Sequence, residues 1–159
     1  MPEKMQIEPV AERDLPEIIS LIKREFPYVE ISIEKIRERI ACKRVFVFKA
    51  VEKKELLGFI EAEMLVPSIA RINGLTVKPE ERKQGIATAL LEHMIDFLQS
   101  NGAKRIMLLV KQGNDEAKKL YETKGFKFVG LYQRQIDQSI VEEMELDLGT
   151  KEESPSYVS

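Results

Sequence analysis

Apolar and polar residues change period several times along this 159-residue chain, and each change marks an element. Met5 to Pro9 reads as a short strand. Leu15 to Phe26 carries apolar residues at helical spacing, with Asp14 in the N-cap position and Pro16 in the first turn. Phe26-Pro27-Tyr28-Val29 breaks that helix, and Ser32 caps a second one with Ile33, Ile36 and Ile40 along one side. Val45 to Phe48 and Leu56 to Leu65 read as two strands of a hairpin joined through Glu52-Lys53-Lys54-Glu55. Ala70 to Val77 is the next strand. It holds Asn73-Gly74 in its middle, which predicts a bulge or the close approach of another backbone.

The second half continues in the same manner. Gly85 to Ser100 is a long helix whose buried stripe is Ala87, Leu90, Leu91, Met94 and Leu98. Arg105 to Val110 is a short apolar run with the length of a buried strand. The helix after it has both ends written in: Asn114 as N-cap, Asp115 and Glu116 in the first turn, Lys118, Lys119 and Lys124 towards the end, and Gly125 as the stop. Phe126 to Tyr132 and Ile140 to Leu148 close the pattern as strands. The resulting order is β-α-α-β-β-β-α-β-α-β-β, read as one α/β domain over residues 1–148 with a polar tail at 149–159.

Composition narrows the function classes. Hydrophobic residues make up 43% of the chain and charged residues 33%, as in a globular domain. A net charge of −2 gives no general attraction to nucleic acid or to a membrane surface, and no apolar run approaches the roughly 20 residues of a membrane span. We therefore expect neither partner, and a cytoplasmic location. Cys42 is the one cysteine and His93 the one histidine, so neither a disulfide nor a metal site is expected. His93 lies beside the apolar stripe of its helix and reads as a packing residue.

The most informative stretch is the turn between the Ala70–Val77 strand and the long helix. Neither G-x-x-x-x-G-K-[ST] nor G-x-G-x-x-G occurs in the chain. What stands there is Arg82-Lys83-Gln84-Gly85-Ile86-Ala87-Thr88. Gly85 can adopt backbone conformations closed to other residues, so the turn could curl its N–H groups around one anion ahead of a helix N-terminus. A plain glycine turn with solvated Arg and Lys is the competing reading. Arg82 to Ala87 resembles the pyrophosphate-binding R/Q-x-x-G-x-G/A signature of the GNAT superfamily of acyl-CoA-dependent N-acetyltransferases. Asn114, Ala117, Leu120 and Tyr121 share one helix face and continue to Gly125-Phe126, which resembles the second GNAT signature, N-x-x-A-x-x-L-Y-x-x-x-G-F. The resemblance covers Ile69 to Gly130 in detail.

That resemblance implies a mostly antiparallel mixed sheet with helices on both sides, in which a parallel fourth and fifth strand splay to admit the pantetheine of acetyl-CoA. It implies anion contacts from Arg82, Lys83, Gln84, Gly85, Ile86, Ala87 and Thr88. It also implies main-chain contacts from Leu75 and Val77 and pantetheine contacts from Asn114, Ala117 and Tyr121. Tyr121 is the implied acid for thiolate release, with a packed tyrosine as the alternative. The Glu that ribosomal-type N-terminal acetyltransferases carry before the Asn helix is replaced by Leu109. Glu61 and Glu63, on one face of a strand, are the candidate bases, and a charge-decorated surface is the equal reading.

An α-amine costs only about 1.4 kcal/mol to deprotonate at pH 7, against about 4.6 kcal/mol for a lysine. A chain without a dedicated base therefore favours a peptide α-amine or another low-pKa amine as acceptor. A CoA-binding sensor or scaffold without turnover is the alternative function. A homodimer would suit the resemblance, although no residue pattern marks an interface.

Overall fold

The structure is a computed structural model that describes residues 5–82 and 85–149. Its elements are β1 (Gln6–Pro9), α1 (Leu15–Glu25), α2 (Ile33–Ala41), β2 (Val45–Glu52), β3 (Glu55–Val66), β4 (Ile69–Val77), α3 (Ile86–Ser100), β5 (Arg105–Lys111), α4 (Asp115–Thr123), β6 (Lys127–Leu131) and β7 (Val141–Asp147). Single turns of 3-10 helix stand at Glu12–Asp14 and Pro79–Glu81. The order is the one expected from the hydrophobic pattern. Among the described residues seven strands form one mixed sheet in the order β1-β2-β3-β4-β5-β7-β6. The β4–β5 pair is parallel, while β1–β2, β2–β3, β5–β7 and β6–β7 are antiparallel. All of the tail expected at 149–159 except Gly149 falls outside the described residues.

The chain divides into two compact units, one formed by the residues up to Glu63 with Asn73–Met94, the other by Met64–Ile72 with the residues from Ile95 onward. In the first unit, Leu15, Ile18, Ile19 and Ile22 make the buried stripe of α1, as their spacing dictates. They pack with Ile36 of α2, Val47 of β2, and Leu56 and Phe59 of β3. Ser32 caps α2 by accepting a bond from the Lys35 N–H at 3.2 Å. The β2–β3 hairpin closes through Lys53 and Lys54 at φ +52° and +64°, the left-handed pair that a two-residue hairpin turn needs, supplied here by lysines.

Asp14 departs from its expected role. It precedes α1, yet its carboxylate does not cap that helix. Oδ2 instead accepts from the Ala11 N–H at 2.7 Å and from Lys49 Nζ at 2.6 Å. The reason is the burial of Lys49, whose side chain is 3% exposed in the middle of β2 and requires a counter-charge. Burial pushes the Asp14 carboxyl up. The Lys49 and Ala11 hydrogen bonds and the charges of Lys49 and Arg13 more than reverse this, leaving it below the usual carboxylate value.

In the second unit, β5 pairs with β7 from Arg105↔Asp147 to Lys111↔Val141. Ile106, Leu108, Met144 and Leu146 share one buried face. Helix α4 packs on that face: Lys118 pairs with Glu142 at 3.3 Å, and a Cβ on Gly125 would meet Leu146 Cδ1 at 3.1 Å. Both ends of α4 are fixed as the sequence predicts. Asn114 Oδ1 accepts from the Ala117 N–H at 3.2 Å. At the other end Gly125, at φ +97°, donates to the Glu122 carbonyl and Phe126 donates to the Tyr121 carbonyl. This is the paired C-terminal closure known as a Schellman motif, with Phe126 and Tyr121 supplying its apolar contact at 5.8 Å between rings.

Asp14→Asn is expected to destabilise the fold by up to about 3–5 kcal/mol at neutral pH, because it removes the nearer counter-charge of the buried Lys49 and leaves Glu8, at 3.6 Å, as the remaining one among the described residues. Asp14→Leu combined with Lys49→Met should recover most of that loss. A carboxyl held below its unfolded value stabilises the folded state above pH ~4 and loses that contribution as the pH falls through its folded value. The gap in denaturation midpoint between wild type and Asp14→Asn should therefore narrow when unfolding is repeated near pH 3.

Candidate active site

The end of β4 is held by the strand beside it. A Cβ added to Gly58 of β3 would lie 2.5 Å from the Thr76 carbonyl oxygen and 2.9 Å from Val77 Cα, so no other residue fits there while β4 keeps its course. Lys78 N–H then donates to the Leu57 carbonyl at 2.8 Å, and the Arg82 guanidinium donates to the Val77 carbonyl at 3.1 Å. Leu75 and Val77, expected to offer main-chain groups, thus lie on a strand end fixed by backbone contact. The close approach anticipated at Gly74 is not there, since a Cβ at Gly74 would meet nothing within 4 Å. Gly58 carries it instead. The same rule about a glycine inside a strand would have found it.

The parallel ladder between β4 and β5 runs from Ile69↔Arg105 to Ile72↔Leu108 and ends there, leaving Asn73 to Val77 outside it. After Val77 the chain passes the turn at Pro79–Glu81 and Arg82 to Gly85, which stands at φ +80° with nothing within 4 Å of an added Cβ. Ile86, Ala87 and Thr88 form the first turn of the 15-residue α3, whose leading N–H groups have no carbonyl one turn earlier in the helix to accept from them. Lys83 and Gln84, expected among the anion contacts, lie outside the described residues. The Arg82 guanidinium is also paired with Glu25 of α1. His93, on α3, stacks edge-on against Phe48 at 4.5 Å, in keeping with a packing role.

Glu61 and Glu63 are brought together as the strand period requires. The Asn73 side-chain amide donates to Glu61 at 2.9 Å and to Glu63 at 3.0 Å. Glu61 is 6% exposed and its carboxylate also holds the Arg39 guanidinium of α2. It is therefore an acceptor already occupied by a cation and an amide.

In the second unit, Asn114, Ala117 and Tyr121 line up on α4. The Asn114 oxygen caps the helix, so its amide nitrogen is the group left to reach outward. Tyr121 is 9% exposed, and burial pushes its phenol up to about 12. No hydrogen bond to its hydroxyl exists among the described residues, and none of their buried side-chain polar atoms lacks a partner. The hydroxyl oxygen therefore lies at the accessible fringe of a buried ring.

Comparison with known proteins now adds to this geometry. The profile of the Acetyltransferase (GNAT) family matches residues 15–126. The chain belongs to this family. It is 31% identical over 83 residues to the [Ribosomal protein bS18]-alanine N-acetyltransferase of Escherichia coli (strain K12), covering 52% of this chain and 55% of that protein. It is also 31% identical over 85 residues to N-alpha-acetyltransferase 30 of Schizosaccharomyces pombe, covering 51% of this chain and 57% of that one. The chain thus spans about half the length of the curated relatives it matches. Among solved structures, Arabidopsis thaliana NAA60 in complex with acetyl-CoA superposes with a TM-score of 0.81 at 18% identity, covering 91% of this chain and 99% of that one. The fold of this GNAT member is therefore the family fold, as the two motifs implied.

Gly58→Ala should shift the end of β4, because the atoms in the way are backbone and cannot rotate aside. We expect a loss of roughly 1–3 kcal/mol, typical of overpacking. Gly74→Ala, with open space around it, should stay close to wild type. Denaturant midpoints of the two variants, measured side by side, test the assignment.

Proposed function

We propose that this GNAT member is an acetyl-CoA-dependent N-acetyltransferase that transfers the acetyl group directly to a bound amine, with a peptide α-amine as the favoured acceptor. One observation carries the cofactor half of the reading: Gly85, at φ +80° and unencumbered, stands immediately ahead of the first turn of a 15-residue helix. That arrangement suits a pyrophosphate, because a glycine allows close approach and the helix end presents N–H groups and a positive dipole. Gly85, Ile86, Ala87 and Thr88 would hold the anion, with Lys83 and Gln84 beside them. Arg82 would exchange Glu25 for phosphate or keep the turn in place from where it is. In the first unit the main chain of Leu75 and Val77, and in the second Asn114 and Ala117, are the groups we assign to pantetheine contact. Acetyl-CoA itself supplies the activated thioester.

Burial gives Tyr121 a defined part. A phenol near 12 stays protonated at neutral pH, and a thiol titrates near 8.5, so complete proton transfer to a thiolate would run roughly 5 kcal/mol uphill. Tyr121 therefore acts as a hydrogen-bond donor to the departing sulfur, in the manner of an oxyanion-type donor, while the final proton comes from water. Glu61 and Glu63 we assign to positioning, through Asn73, the strand that carries Leu75 and Val77. The favoured acceptor follows from the low cost of deprotonating an α-amine, and the names of the two curated relatives support it. The lone Cys42 and the chain's mild net charge suit a cytoplasmic reaction without nucleic acid or membrane.

Thermal unfolding with and without acetyl-CoA tests the cofactor half. A ligand at a hundredfold excess over its Kd stabilises the folded state by about 2.7 kcal/mol, which raises the midpoint by several degrees. The shift should survive in Tyr121→Phe. It should vanish in an Arg82→Ala, Gly85→Glu double variant, where a carboxylate faces the anion site. Tyr121→Phe should lower turnover roughly 10²-fold or more at unchanged acetyl-CoA affinity. Full turnover in Tyr121→Phe would end its assignment, and preferred acetylation of internal lysines over peptide N-termini would end that of the acceptor.

A further inference from the structure

Attack by an amine is faster where a carboxylate can take its proton, even when the amine is an α-amine of low pKa, and in this structure several carboxylates are already paired with a cation. Asp14 is bound to Lys49, Glu17 to Lys78, Glu25 to Arg82 and Glu61 to Arg39. In the second unit Glu142 is held by Lys118 at 3.3 Å, Glu145 by Arg105 at 3.5 Å and Asp137 by Lys111 at 3.2 Å. Glu143 differs from these, for among the described residues it has no cationic partner. It stands in the middle of β7, half-buried, on the sheet face opposite the one that α4 covers.

Its neighbours leave room for a substrate. Across the ladder on one side is Leu109 of β5, and on the other is Gly130 of β6, where an added Cβ would meet nothing within 4 Å. Val129 is bulged out of that pairing, so β6 brings no side chain over Glu143 from its register partner. The charged groups sharing this face are Glu145, Arg105, Asp147 and Lys111, with Lys127 across from Glu145. Burial, then the hydrogen bond that the protonated Glu143 carboxyl donates to Glu145, then the charge of Glu145 all push the Glu143 carboxyl above the usual carboxylate value. A carboxylate raised in this way is better matched to an amine than an ordinary one.

We propose that Glu143 is the general base, taking the acceptor amine's proton from a position on β7 directly across from Leu109. This rests on the acetyltransferase reading given above. The amine nitrogen forms its bond to the carbonyl carbon as the carbon–sulfur bond breaks, and the nitrogen's proton passes to the Glu143 carboxylate. The sulfur leaves as thiolate with the Tyr121 hydroxyl hydrogen-bonded to it, and is then protonated by water.

The test is acetyl-CoA with a panel of an alanine-initiated hexapeptide, a free lysine derivative and spermidine, read by release of the CoA thiol across pH. With any amine that wild type acetylates, Glu143→Gln should lower kcat about 10²-fold or more and flatten the acidic limb of the rate profile, leaving the acetyl-CoA thermal shift intact. Glu145→Gln should move that limb to lower pH, because it removes the charge that raises Glu143. Glu143→Asp, which keeps a carboxylate at the same place on β7, should regain at least ten of the hundredfold lost and restore the acidic limb, which a merely structural Glu143 would not require. Unchanged turnover in Glu143→Gln, or a loss that Glu143→Asp does not relieve, overturns the proposal alone. Wild-type protein that acetylates none of the three amines overturns the transferase reading, and this proposal with it.

Discussion

The contact on which the site depends is the approach of two backbones at Gly58. With the Thr76 carbonyl and Val77 Cα occupying the space where a Cβ would stand, β4 is pressed against β3 at its C-terminal end. The Lys78–Leu57 and Arg82–Val77 hydrogen bonds then carry the constraint forward as far as Arg82. The β4–β5 ladder stops at Ile72↔Leu108, and what steadies Asn73 to Val77 in the first unit is this packing against β3.

Charge is arranged on the same footing. Two strands of the first unit bury an ionisable side chain, Lys49 on β2 and Glu61 on β3, and each is met by a partner from a helix or its lead-in: Asp14 before α1, Arg39 on α2. Such pairs contribute little net stability compared with apolar replacements, yet removing one member leaves the other buried and unmatched. They therefore constrain where α1 and α2 can sit on β2 and β3 more than they strengthen the fold. Asn73 extends the second pair onto β4 by bonding both glutamates.

Helix α4 shows how local sequence can prepare a chemical group. Asn114 fixes its start and Gly125 its end, and the same closure brings Phe126 onto Tyr121. The aromatic contact buries the ring, burial raises the phenol, and the raised phenol holds its proton at neutral pH. One glycine-terminated helix end thereby sets both the position of Tyr121 and its protonation state.

Element order, both caps of α4, the Ser32 cap, the buried stripe of α1, that of α3 apart from the only partly buried Ala87, and the left-handed Gly85 were all legible in the chain. Each depends on residues within one or two helical turns, whose spacing and backbone preferences act locally. Asp14 was misread as a helix cap because its true partner, Lys49, is 35 positions away and needed burial to make the demand. Asn73-Gly74 was read as a bulge or a close approach, and the close approach falls at Gly58 instead, because only the paired strands reveal which glycine faces a backbone. Glu143 drew no attention, since its setting is created by register: Leu109 on one side, Gly130 on the other and Glu145 next on the same face. The sequence by itself determined which elements form and which motifs stand at their ends. Tertiary structure decided which charges are matched and which are left over, because burial and cross-strand neighbours exist only once distant segments have met.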